Sequence, residues 1–287
     1  MVSVIKRKKG NSHYYYLIHN SGKHQHEKYL GKKIPENIKS LKREFLLSIL
    51  HKKWKKCLEP IEKEYSKQPR IVLIENLKEF SYRFTHDTQK IEGSSLTQRE
   101  TYDLLKFSLT PYRKSESDMI ETRMHHDVFL KMIKISPTLS QRIVLKWHKE
   151  MFEKTKSEIA GKLRTYPVFV TNSDSVFPNW KFISRFLRDF FTWYKKSVKK
   201  IEPVELAGMA HFRFVNIHPF GDGNGRVARL LMNYVLIKNN YPPLNIKYSE
   251  RQQYYKALEK GNLENDEIYF LKWFMKYYIK TNKKFLK

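Results

Sequence analysis

The sequence predicts a mainly α-helical protein: a helical bundle around two central helices, with two small β-hairpins attached. Three observations carry this. Residues 204–217 hold Val204, Leu206, Met209, Phe212, Phe214, Val215 and Ile217. Residues 227–237 hold Val227, Leu230, Leu231, Met232, Val235, Leu236 and Ile237. Both runs are apolar nearly all round a helix, the pattern of helices buried in a core. Amphipathic runs at helical spacing recur on both sides, whereas strand-like alternation is confined to residues 2–33 and 163–178. At 287 residues and 40% hydrophobic content, the chain has room for a sizeable core and one or two domains.

In chain order, Tyr14-Tyr15-Tyr16-Leu17-Ile18 and Lys28-Tyr29-Leu30 flank Asn20-Ser21-Gly22-Lys23, a hairpin signal. Residues 36–68 read as helix, with Leu41, Phe45, Leu46, Ile49, Leu50 and Trp54 on the apolar spacing and Pro60 as a kink or split. Helix follows over 72–92. Gly93 suits the position just past its end, and Thr97-Gln98-Arg99-Glu100 reads as a capping box for the next helix. Residues 98–134 are helical with a break at Thr110-Pro111, and 137–155 form another helix. Gly161-Lys162-Leu163-Arg164-Thr165 leads into Val168-Phe169-Val170. A turn-rich Thr171–Ser175 and a returning Val176-Phe177-Pro178 complete a second hairpin. Helices are expected over 180–199, through the two apolar runs, and over 249–261 and about 266–279.

The net charge of +27 invites a polyanion, and the first seventy residues hold 18 Lys/Arg against 6 Glu. Lys dominates and is spread along helical faces, which reads first as solvated surface, so nucleic-acid binding is admitted but not favoured. A single cysteine, Cys57, excludes an internal disulfide framework and fits a reducing, cytoplasmic setting. The start of the chain is basic with no apolar core, unlike a signal peptide, and Ile268–Ile279 is too short and too charged to span a bilayer. His125 and His126 are adjacent, so on a helix they point about 100° apart and cannot chelate one ion together. No zinc spacing stands out.

Between the two apolar runs lies His218-Pro219-Phe220-Gly221-Asp222-Gly223-Asn224-Gly225-Arg226-Val227-Ala228-Arg229. A polar, Gly-rich dozen pinned between buried helices is costly unless it binds something. The glycines permit positive φ and close approach of the backbone to a ligand. Successive N–H groups opening a helix make an anion-binding nest. Arg226 and Arg229, three apart, share one face of the first turn, and two guanidinium forks beside such a nest describe a polyphosphate site. Asp222 adds a carboxylate where Mg²⁺ would bridge to phosphate, and His218 is the nearby group able to take a proton near neutral pH. No Gly-Lys-Ser/Thr follows, which sets the loop apart from a Walker loop. A helix rather than a strand precedes it, which sets it apart from a dinucleotide fingerprint.

The dozen resembles the signature of the Fic (filamentation induced by cyclic AMP) family, His-x-Phe-x-Asp/Glu-Gly-Asn-Gly-Arg-x-x-Arg, without departure, and the similarity covers roughly the second half of the chain. The resemblance implies a protein adenylyltransferase that moves AMP from ATP, with Mg²⁺, to a Ser, Thr or Tyr hydroxyl of a target protein. His218 would be its general base. Asp222 would hold the metal. Gly223, Asn224, Gly225, Arg226, Val227, Ala228 and Arg229 would bind the nucleotide. It further implies that the second hairpin is a flap whose tip, Val170, Thr171, Asn172 and Ser173, contacts nucleotide, and that Tyr254, Tyr255 and Asn262 line the base pocket. Glu92 at a helix C-terminus opposes the helix dipole and needs a positive partner. Thr88, Glu92 and Gly93 match the family's inhibitory Ser/Thr-x-x-x-Glu-Gly/Asn, with Ser94 in place of the usual Asn. By resemblance Glu92 would pair with Arg229 and occupy the γ-phosphate space. The chain then divides into a basic N-terminal part over 1–70, an inhibitory helix segment over 71–97, and a Fic domain over 98–283 with its core at 139–283. Alternatives are transfer of another nucleotide, removal of AMP, or a basic nucleic-acid-binding regulator. A homodimer is left open, and no membrane partner is expected.

Overall fold

The computed structural model describes residues 2–22, 24–169 and 173–286. Two compact units divide at Pro60/Ile61, inside the first helix. In the first, strands β1 (Ser3–Lys9), β2 (Ser12–Ser21) and β3 (His24–Gly31) form an antiparallel sheet in that order. One strand more than expected is present, because Gly10, at φ +60°, turns the basic start of the chain back along β2. Gly22, at φ +62°, makes the turn that the sequence signalled. Val2, Val4, Leu17 and Leu30 pack on Phe45, Ile49 and Leu41 of helix α1 (Ile38–Ser66). Pro60 lies inside α1, which runs on unbroken from Ile38 to Ser66 rather than splitting there.

The second unit is helical. Helices α2 (Arg70–Ile91), α3 (Gln98–Lys106), α4 (Glu116–Ile135), α5 (Gln141–Phe152) and α6 (Ile183–Ser197) lead to the central pair α7 (Pro203–Ile217) and α8 (Asn224–Lys238). Helices α9 (Arg251–Leu263) and α10 (Ile268–Thr281) follow. Leu206, Ala207, Ala210 and Phe214 of α7 and Val227, Leu230, Leu231, Met232, Val235 and Leu236 of α8 are all at most 1% exposed, as an all-round apolar pattern requires. Gly208 lets α10 approach α7: a Cβ there would stand 2.7 Å from the Phe274 ring.

Local chemistry sets the ends that matter for the site. At the end of α2, Ser94 N donates to Gln89 O and Gly93 N to Lys90 O, with Gly93 at φ +100°. That is a Schellman closure, and it presents Glu92 at the helix end. The Thr97/Glu100 capping box starts α3 as its spacing indicated. His218 closes α7 in the left-handed conformation, at φ 49° and ψ 59°. Gly223, at φ +78°, precedes the first turn of α8.

The expected flap hairpin is corrected in part. Among the described residues, 163–169 and 173–178 carry no strand pairing. Val176 N donates to Asn262 Oδ1, Val176 O accepts from Asn262 Nδ2, and Asp174 N donates to Glu259 Oε1. These backbone groups of the returning segment are thus satisfied by side chains of α9 rather than by a facing strand. Val170, Thr171 and Asn172 lie outside the described residues.

Candidate functional site

The loop between α7 and α8 is fixed from within. Asn224 Oδ1 accepts from Phe220 N and its Nδ2 donates to Phe220 O, both at 2.9 Å. A buried amide satisfied on both sides locks the turn. The glycines are where nothing larger fits: a Cβ on Gly223 would lie 2.4 Å from the Phe152 ring, and one on Gly225 would lie 2.6 Å from Glu92 Oε1. His148 of α5 braces the loop from below. It accepts from Gly161 N through Nδ1 at 2.9 Å, so its Nε2–H donates to Asp222 O at 3.0 Å. Burial pushes this imidazole down to about 4, against the opposing pull of the Asp222 carbonyl, so it is neutral at physiological pH.

His218 has a defined tautomer. Its Nδ1 lies 3.2 Å from Val215 O, which can only accept, so Nδ1 carries the proton and Nε2 keeps a lone pair. Burial lowers its pKa to about 4, partly offset by that hydrogen bond. The Phe177 ring sits 4.1 Å from the imidazole, and Arg164 locks the same stretch. Arg164 Nε donates to His218 O at 2.7 Å, Nη1 to Tyr166 O at 2.9 Å and Nη2 to Pro178 O at 2.7 Å. One 4% exposed guanidinium therefore staples both limbs of the 163–178 segment to the histidine.

The charges separate into two clusters. In the first, Glu92 Oε1 accepts from Arg229 Nη2 at 2.5 Å, and Arg229 is 1% exposed. Its guanidinium also reaches Thr88 O at 3.3 Å and Tyr254 Oη at 3.4 Å. Burial alone would make Arg229 easier to deprotonate, but the Glu92 carboxylate outweighs it and pushes its pKa up. In the second, Arg226 pairs with Glu121 through a short contact and with Asp222 Oδ2 at 3.0 Å, and its guanidinium lies 4.4 Å over the Phe152 ring. Lys156 bridges the same two carboxylates, at 3.0 Å to Glu121 and 2.7 Å to Asp222. Burial raises the Asp222 carboxyl, but Arg226 and Lys156 prevail and bring it down to about 2, so it is ionised. Glu92 is therefore paired with Arg229, and Arg226 has its own acid.

The remaining sequence-derived residues fall around these clusters. Val227 and Ala228 are buried in the first turn of α8. Tyr254 is buried and hydrogen-bonded to His211, while Tyr255 donates to Ile91 O at 3.2 Å, next to Glu92. Asn262 holds Val176 and Asn216, and Ser173 Oγ donates to Glu259 at 2.8 Å. Sequence reasoning missed Glu121, His148, Lys156, Arg164 and Glu259. Each comes from an element remote in sequence, and none carries a spacing that announces it.

Residues 138–236 match the sequence profile of the Fic/DOC family. Over residues 138–236 the chain carries a Fic domain. Over a longer span, 226 residues, it is 28% identical to the protein adenylyltransferase fic-1 of Caenorhabditis elegans, covering 76% of this chain and 44% of that one. It is 30% identical over 192 residues to the protein adenylyltransferase Fic of Nematostella vectensis, covering 65% and 44%. The chain thus spans less than half the length of these curated relatives. In structure it resembles a Fic domain-containing signalling protein from Bacteroides thetaiotaomicron, with a TM-score of 0.73, 25% identity, and coverage of 82% of this chain and 95% of that one. The Fic-1 structure from C. elegans gives the same TM-score at 24% identity, covering 87% of this chain and 76% of that one. The Fic domain accounts for the central pair α7 and α8 and for the loop between them, which is where the site lies.

Proposed function

We propose that the protein is an adenylyltransferase that moves AMP from ATP to a hydroxyl side chain of a target protein, and that Glu92 holds it in an inhibited state. The observation that carries this reading is the conjunction at the α7–α8 loop: a neutral His218 with a free Nε2, and a buried Arg229 whose partner is one carboxylate from another helix. His218 Nε2 accepts the proton of the attacking hydroxyl as its oxygen bonds to the α-phosphorus. The bond from that phosphorus to the bridging oxygen breaks, and pyrophosphate leaves. The N–H groups at 223–225, opening α8, meet phosphate oxygens. Once Glu92 moves away, Arg229 stabilises charge on the leaving pyrophosphate. Arg226, tied to Asp222 and Glu121, adds positive charge beside the phosphates and holds the Asp222 carboxylate in place.

Mg²⁺ fits the chemistry of this donor set. Among the described residues no cluster of three His, Cys, Asp or Glu could hold a metal. Asp222, ionised and with its side chain 39% exposed, offers the single carboxylate that Mg²⁺ commonly takes alongside substrate phosphates. Bound there, the ion would neutralise phosphate charge. Lys156, already on the same oxygen, would have to yield its place. Tyr254, Tyr255 and Asn262 are proposed to flank the base, and Val170–Ser173 to meet the nucleotide as the flap tip.

The test uses α-labelled ATP with the Glu92→Gly form, in the presence of lysate as the source of targets, followed by mass analysis of the labelled product. Addition of AMP to a hydroxyl side chain supports the reading. Removing a positioned base costs about 10²–10⁴-fold, so His218→Ala in the same background should leave almost no label. Equal labelling with His218→Ala would end the proposal.

A further inference from the structure

The outer face of the N-terminal sheet has no part in the transfer just proposed. Strand register places Arg7, Tyr14, Tyr16, Glu27 and Tyr29 on the face opposite the one packed on α1. The Tyr29 ring centroid lies 5.3 Å from that of Tyr16 and 6.2 Å from that of Tyr14, and Tyr29 is 54% exposed. Arg7 lies flush with this cluster, its guanidinium 4.8 Å from the Tyr16 ring centroid. Both Glu27 carboxylate oxygens hold it there, at 2.9 and 2.7 Å. Among the exposed β1 lysines the register puts Lys9 on the tyrosine face, while Lys6 and Lys8 alternate to the other side of this edge strand; the exposed Lys32 and Lys33 follow just past β3. In residues 1–33 eight Lys/Arg stand against one acidic residue, Glu27.

Tyrosines suit strands and can simply cover a sheet. That accounts for the rings but not for the cations concentrated around them. Charge complementarity calls for a polyanion, and a ring cluster with Tyr29 exposed and Tyr14 and Tyr16 half-buried beside it calls for one with free flat faces. Single-stranded nucleic acid offers both, with bases to stack on aromatic side chains and guanidinium, and phosphates to meet lysine. A duplex hides its base faces and would engage the lysines alone, while an acidic peptide supplies charge but no rings. We propose that this face binds a short single-stranded nucleic-acid segment. Bases stack on Tyr14, Tyr16 and Tyr29, and phosphates run along Arg7 and Lys9 at the β1 edge. Glu27, the one acid on the platform, opposes the phosphates.

The experiment measures anisotropy of short labelled DNA and RNA single strands, and of the duplex of the same sequence, on the full chain over a salt series. The expected result is single strand bound at least about tenfold more tightly than duplex. Stacking a base on a ring accounts for roughly fivefold to a hundredfold in affinity. Tyr14→Leu/Tyr16→Leu should therefore lose about tenfold or more, Tyr14→Phe/Tyr16→Phe should keep the parent affinity, and Glu27→Gln should tighten binding. If the leucine pair does not fold, Tyr29→Leu, at an exposed position, carries the same readout. Duplex bound as tightly as single strand, unchanged affinity in a leucine variant of native melting temperature, or no binding at all would each overturn the proposal.

Discussion

The Glu92–Arg229 contact sets the charge balance at the centre of the site. Arg229 is almost wholly buried, and a buried guanidinium is stable only when its charge is met. Thr88 O and Tyr254 Oη give it neutral acceptors, but among the described residues Glu92 supplies the one countercharge in contact with it. Glu92→Gly therefore leaves a buried cation short of its partner. Breaking such a pair costs on the order of 3–5 kcal/mol, so the variant should melt below the parent. ATP should then restore more melting temperature to the variant than it adds to the parent, because the phosphates replace the missing charge and stabilise the form that binds them. Thermal melts with and without ATP check this, and an equal ATP shift in both proteins would count against Glu92 as the occupant of the phosphate space. At this scale the sequence was most legible where one residue type has one physical use. Gly223 was readable as a positive-φ position, which its φ of +78° bears out. Glu121 was not, since a lone carboxylate in mid-helix carries no sign that an arginine more than a hundred residues away will meet it.

At the scale of elements, the Glu92–Arg229 pair is only as firm as the seating of α2. Asp87 anchors that helix: it accepts from Asn245 Nδ2 at 2.6 Å and from Tyr248 N at 3.1 Å, on the segment between α8 and α9. On the other side, Gln89 Nε2 donates to Glu121 O at 2.8 Å, tying α2 to α4. Asp87→Ala removes two hydrogen bonds to an ionised acceptor, each worth about 1.5–3 kcal/mol, without touching Glu92. Amides in the last two turns of α2 should then exchange faster with deuterium, and basal AMP transfer should rise short of the Glu92→Gly level. Unchanged exchange there would mean that packing alone seats the helix. The elements themselves were legible because their ends are local chemistry, as at the Schellman closure of α2 and the capping box of α3. The flap was legible only in part. Its alternation suggested paired strands, whereas Asn262 and Glu259, some 86 residues away, take the backbone groups at Val176 and Asp174. The third N-terminal strand escaped because Ser3–Lys9 is mostly basic and reads as surface until Gly10 folds it onto β2.

At the scale of the whole molecule, the dominant feature is positive charge, +27 on 287 residues, with several imidazoles buried inside it. Burial, joined by the field of Arg229, pushes the His211 pKa down to about 3; burial likewise takes His148 and His218 to about 4 and His125 well below its ordinary value. In the unfolded chain each would titrate near 6.5. Between about pH 4 and 6.5 the unfolded state therefore binds more protons than the folded one, and stability falls as pH falls through that window. Each tenfold rise in acidity costs about 1.4 kcal/mol for every histidine so held. Asp222, held at about 2, acts in the same direction further down, since its stabilisation is present above the ordinary carboxylate range and lost as pH drops towards its own value. Glu202, raised by burial, acts the other way, but it is one group against four imidazoles. Acid also adds charge to a molecule already strongly positive, which raises self-repulsion. The melting temperature should therefore be flat near pH 7–8 and fall steeply from about pH 6.5 to 4, with the imidazole signals of His125, His148, His211 and His218 still neutral at pH 5 by NMR. Signals that titrate near 6.5 in the native protein would show that the histidines are not held as buried neutral groups, and the acid sensitivity would then have to come from charge repulsion, which added salt would relieve.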